Sequence, residues 1–192
     1  MKRNFEMVIA GILLLFSGFT VFAGSEKDLS IKPELVLDKI KLVKAQERAG
    51  DELYFTLSAR VGNKPTKYIR IPVKPEHWLS GKIDAVKKVH LWSEPLVDGQ
   101  SVTIIVELNE QDSGSPLDPD DLLGVMRVKL KNDRGILHVL WDIPNQTGVN
   151  APKKMAGEAA DSHIAGSHHA HKFDLQNDEA HYEVHMLMGK TK

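Results

Sequence analysis

Two clusters of carboxylates are the residues best placed to do chemistry. Glu47, Asp51 and Glu52 stand just before one apolar–polar alternating run, and Asp112, Asp118, Asp120 and Asp121 follow another. Ca²⁺ takes six to eight oxygen ligands with flexible geometry, so carboxylates gathered on neighbouring loops suit it. On adjoining loops these groups would repel one another strongly without a cation between them. The competing reading is plain solvation, with Asp118-Pro119-Asp120 forming a turn and Asp121 bonding only to loop amides.

Histidines form a second set. His163, His168, His169 and His171 lie in a polar stretch, and His181 and His185 in the alternating segment that follows it. Neutral imidazole is a common ligand for Zn, Cu or Ni. The four-residue spacing of His181 and His185 puts both on one strand face, opposite Tyr182, Val184 and Met186. With no Cys in the chain, a closed structural zinc site lacks its usual ligands. The bland alternative is a polar tail. A third set, Lys64, Lys67 and Arg70 with Leu117, has the character of a membrane-contact patch or of an ordinary charged strand face.

No catalytic constellation accompanies these residues. There is no Gly-x-Ser-x-Gly elbow, no His-Glu-x-x-His, no phosphate-cradling Gly loop and no Cys nucleophile. Trp78, Trp92 and Trp141 read as packing residues, and His77 and His90 as ordinary strand or loop residues.

The elements that must position these groups are strands. Period-two alternation marks segments 35–42, 53–61, 68–73, 86–92, 101–108, 122–130, 136–141 and 180–188, the first with an irregularity near Asp38. Gly62-Asn63-Lys64-Pro65, Asp98-Gly99 and Asn132-Asp133-Arg134-Gly135 supply turns. No amphipathic helix intervenes, so the expectation is an all-β, antiparallel eight-stranded sandwich. Residues 24–32 are expected as a short linker, 33–144 as the sandwich and 145–179 as a flexible His/Ala/Gly-rich linker. The strand at 180–189 then returns to the sandwich, either after a long surface excursion or as an optional addition at an edge.

The order of these motifs resembles a C2 domain. Ala49-Gly50-Asp51-Glu52-Leu53-Tyr54-Phe55 is similar to that family's small-residue loop, acidic residue and aromatic strand start. The run 101–108 is similar to the strand entering its acidic third loop, and Asp118-Pro119-Asp120-Asp121-Leu122-Leu123-Gly124 to its Asp-aliphatic-Gly turn. The resemblance covers roughly residues 33–144 and implies a C2-like sandwich that binds membranes or proteins with Ca²⁺. Departures are visible: the strand exit reads Glu107-Leu108-Asn109-Glu110-Gln111-Asp112, and Ser113-Gly114-Ser115-Pro116-Leu117 lengthens the third loop. Both put the calcium role in question.

Lys2 and Arg3, the apolar stretch from Val8 to Phe22, and small residues ending at Ala23 have the form of a cleavable signal peptide over 1–23. Cleavage would leave 169 of the 192 residues, with a net charge of −2 where the whole chain has −1. That balance makes no case for nucleic acid, and no small-molecule substrate is evident. The expectation is an exported, periplasmic or secreted, non-enzymatic binding module whose partner is a membrane surface or an envelope protein. The alternatives are a structural subunit of a bacterial envelope or secretion assembly, and a transition-metal protein built on the histidines.

Overall fold

The computed structural model describes residues 29–112, 120–144, 154–156, 160–164, 169–177 and 179–191. The expected export signal, Leu117, Asp118 and His168 lie outside the described residues. The chain is an all-β sandwich of two antiparallel sheets. Its strands are β1 (Lys32–Lys44), β2 (Glu52–Val61), β3 (Lys67–Ile71), β4 (Trp78–Leu79), β5 (Lys87–Ser93) and β6 (Ser101–Glu110). β7 (Asp121–Asp133), β8 (Ile136–Asp142), β9 (Lys154–Ala156), β10 (Ala160–Ile164), β11 (His169–Gln176) and β12 (His181–Thr191) follow. One sheet has the order β5-β1-β12-β11-β9; the other runs β10-β8-β7-β6-β2-β3, with β4 also paired to β2.

Alternation builds the core. Phe55, Leu57 and Ala59 of β2, Val102 to Leu108 at every second position of β6, and Met126, Val128 and Leu130 of β7 face Leu35, Leu37, Tyr182, Val184 and Met186 of the other sheet. In β1 the register shifts between Leu37 and Lys39, at the expected irregularity. The extra residue changes the inward parity from Leu35 and Leu37 to Ile40, so all three remain buried.

Two expectations change. The final strand is no edge addition: β12 lies inside its sheet, between β1 and β11. The expected linker at 145–179 contains β9, β10 and β11, and with the short β4 the described residues hold twelve strands where eight were expected. β11 joins the core because Phe173 and Leu175 are buried on one face, with His171 in the same alternation.

Leu175 also explains Gly124. A Cβ at Gly124 would lie 2.9 Å from Leu175 Cδ2 and 3.1 Å from its Cβ, so the sheets approach closely here only because that position carries no side chain. Gly124→Ala is expected to cost on the order of 1–2 kcal/mol in urea unfolding, the usual scale of mild overpacking. Pairing it with Leu175→Val should recover part of that loss.

Candidate functional site: an acidic end with one buried, unpaired carboxylate

At one end of the sandwich the 45–51 loop, the 3₁₀ turn Ser80–Ala85, the end of β6 and the start of β7 come together. Asp51 organises this end. It is fully buried, and its carboxylate accepts the amides of Glu47 (2.8 Å) and Gln46 (3.1 Å) and the hydroxyl of Tyr182. Its own amide donates to Ser80 Oγ at 2.8 Å, while its carbonyl accepts the Ser80 amide at 2.9 Å. Gly50 makes the close turn possible: its φ is +95°, and a Cβ there would sit 2.9 Å from Ser80 Oγ. Burial, and then the Asp51 carboxylate, push the Tyr182 hydroxyl pKa upward, so it remains a donor.

With both its oxygens engaged, Asp51 serves the loop and not a ligand. The loop it shapes holds Glu47 exposed at the tip. Asp120 accepts the Tyr54 hydroxyl at 2.5 Å, and Asp121 accepts Gln46 Nε2 at 2.8 Å, so these two tie the start of β7 to the rest of the end. Glu52 lies 3.5 Å from His77 Nδ1. The two acidic stretches therefore do meet at one end, but four of their carboxylates are engaged within the protein.

Three carboxylates form a smaller centre. Oxygens of Glu47, Glu110 and Asp112 all lie within 4.8 Å of one another. Glu110 is absent from the carboxylates singled out in sequence, yet it is the central member. Only 2% of it is exposed; Oε1 accepts the Glu52 amide at 3.4 Å, and Oε2 has no hydrogen-bond partner. Burial pushes its pKa up to about 7; the Glu52 amide opposes that shift, and repulsion from Asp112, Glu47 and Asp51 adds to it. The signal for it was parity: Val102, Ile104, Val106, Leu108 and Glu110 share one face of β6, and the last of them carries a charge into the core.

The arrangement suits a hard cation. Two oxygens bound to one Ca²⁺ at about 2.4 Å can lie no more than about 4.8 Å apart, and three carboxylates supply up to about six of the oxygens it takes. Neutralising Glu47 and Asp112 would also relieve the repulsion around Glu110.

Among the described residues the histidines are not brought together. The His171 ring faces inward, stacked at 7° on Trp141 with centroids 5.4 Å apart. His181 and His185 lie half-buried on the outer face of the same sheet, where His181 meets Asp174 and His185 lies 3.8 Å from Glu183. Burial, and next Lys39, lower the His185 pKa. His169 opens β11. Among the described residues, Glu47, Glu110 and Asp112 are the one group of three or more His, Asp or Glu that converge closely enough for a metal.

Among the described residues the basic patch does not assemble either. Arg70 stacks 3.9 Å over the Tyr54 ring and donates to the Pro72 and Glu76 carbonyls and to Gln111 Oε1. Lys67 pairs with Glu94 at 2.7 Å, and Lys64 sits in the β2–β3 turn, at the end away from the carboxylates. The acidic end instead exposes apolar side chains: Val43, Leu79 and, at 76% exposure, Val73. No family model matches the chain, and no curated protein is significantly similar to it in sequence.

Proposed function

We propose that the protein is an exported, non-enzymatic binding module of C2-like form. It takes up Ca²⁺ between Glu47, Glu110 and Asp112 and docks that end on a membrane surface or an envelope protein. The observation that carries the reading is the buried Glu110 carboxylate with an unpartnered oxygen, aimed between two further carboxylates. A buried charge without a partner is costly, and a bound cation would offset the cost. The meeting of the Asp51 and Asp120 loops at one end supports the same reading. Exposed Val43, Val73 and Leu79 beside the carboxylates supply apolar surface for a partner once the charge is neutralised.

Calcium titration followed by thermal melting tests this. Ligand at about 100 times its dissociation constant stabilises by about 2.7 kcal/mol, a clear rise in melting temperature. The same concentration of Mg²⁺, which demands tighter octahedral geometry, should act more weakly. An unchanged melting temperature in millimolar Ca²⁺ removes the cation site. Sedimentation with phosphatidylserine-containing vesicles then separates the partners: Ca²⁺-dependent binding lost in Val73→Asp assigns the membrane, and its absence assigns a protein.

A further inference from the structure

A groove of about 350 Å³ lies on the outer face of the sheet containing β6, β7 and β8, toward the end away from the carboxylates. Strand register places its polar groups in two rows. Ser101 faces Lys131, which faces His138; Thr103 faces Lys129, which faces Leu140. Arg60 of β2 lies opposite Thr103 on its other side, in line with the second row. Lys129 and Lys131, two residues apart on one strand, stand about 6.7 Å from each other along the backbone.

Among the described residues some surface cations are paired and others, such as Lys39, Lys82 and Lys87, are not; what distinguishes this face is two unpaired lysines side by side in one groove. Lys41 and Lys172 pair with Glu183, Lys67 with Glu94, Lys88 with Asp38 and Arg127 with Asp142. Among the described residues, Arg60, Lys129 and Lys131 enter no ion pair. Among the described lining residues the one carboxylate, Asp133, is already shared between Arg134 at 3.5 Å and His138 at 3.8 Å. Like charges side by side on a strand face are unfavourable unless something of opposite sign joins them.

We propose that this groove binds the phosphate group of a small phosphomonoester, such as a sugar phosphate. Lys129 and Lys131 supply the charge that a dianion needs, Arg60 flanks them, and the hydroxyls of Ser101 and Thr103 donate to the remaining oxygens. A carboxylate would leave one lysine uncompensated. Half-buried Leu140 lines the groove beside Lys129 and gives the ligand body an apolar surface. The volume is at the small end for ligand sites, which fits a molecule of monosaccharide size. The inference does not depend on the acidic end, so calcium binding and phosphate binding can fail separately.

Amide chemical-shift titration of the full chain with inorganic phosphate and with glucose 6-phosphate tests the site. Saturable shifts confined to Ser101, Thr103, Lys129, Lys131 and His138 are expected, tighter for glucose 6-phosphate. Lys129→Ala/Lys131→Ala should weaken binding by tenfold or more, on the order of one charge-assisted hydrogen bond lost per lysine, while the double Arg substitution retains it. Both lysines are exposed, so folding should hold; Lys131→Gln is the second variant if it does not. Shifts spread over all surface cations, or an undiminished affinity in the double Ala variant, overturn the proposal. So does binding to phosphatidic acid vesicles with none of either soluble probe, because that assigns the face to a membrane.

Discussion

Glu110→Gln is expected to stabilise the metal-free protein at and above pH 7 while abolishing its response to Ca²⁺. The sign follows from the proton. The unfolded chain releases the Glu110 proton near the ordinary value of 4.5, whereas the folded chain holds it until about 7. Between those values the native state binds more protons, so its stability falls as pH rises through the window and levels off above it. Glutamine has no such proton to lose, and its amide can donate toward the Glu47 and Asp112 carboxylates, which lie within 4.8 Å of this position. The variant should match the wild type near pH 4.5 and exceed it by about 3 kcal/mol above pH 7. Urea unfolding at a series of pH values, with and without Ca²⁺, reads both halves. A wild type whose stability does not decline across the window, or a variant that still gains stability from Ca²⁺, would rule out Glu110 as the buried cation ligand.

That this residue was passed over in sequence has a physical cause. Its parity on β6 was legible, since four apolar residues precede it at alternate positions. A glutamate at a strand exit nevertheless reads as the start of a solvated loop, and only the end of the sandwich, closed by the 45–51 loop, buries it. Conversely, Asp51 was legible as acidic and close to a turn. Its two amide donors lie within five residues, but its third donor, Tyr182, is 131 residues away. Arg70 shows the same limit: a cation on a strand looks available until the carbonyls of Pro72 and Glu76 fold back on it. The irregularity of β1 was readable because a two-residue period that changes phase between Leu37 and Ile40 requires one extra residue. β11 was not, because His171 takes one of its inward positions and leaves only Phe173 and Leu175 as apolar markers. Its burial depends on Trp141, whose ring it meets through both His171 and Phe173.

Asp51→Ala should produce the largest loss of stability, about 3–5 kcal/mol, because it removes one carboxylate and leaves three buried or half-buried donors unpaired. The amides of Gln46 and Glu47 lose their acceptor, and the Tyr182 hydroxyl is left inside the core on an interior strand. Tyr182→Phe removes a single donor and leaves the loop amides satisfied, so it should cost only about 1–2 kcal/mol. In the double variant the hydroxyl is no longer stranded, and its cost should fall short of the sum of the two by roughly 1 kcal/mol or more, the coupling expected of direct partners. Additive costs in urea unfolding would show that the Asp51–Tyr182 contact carries no coupling. The calcium response separates position from charge: Asp51 touches no proposed ligand oxygen, but the amide it holds belongs to Glu47. Asp51→Asn, which keeps an acceptor oxygen for one of the two amides, should fold and yet bind Ca²⁺ more weakly, because Glu47 loses its fixed place opposite Glu110. Glu110→Gln raises stability and abolishes binding, whereas Asp51→Asn lowers both. Those opposite signs distinguish a cation ligand from the residue that positions one.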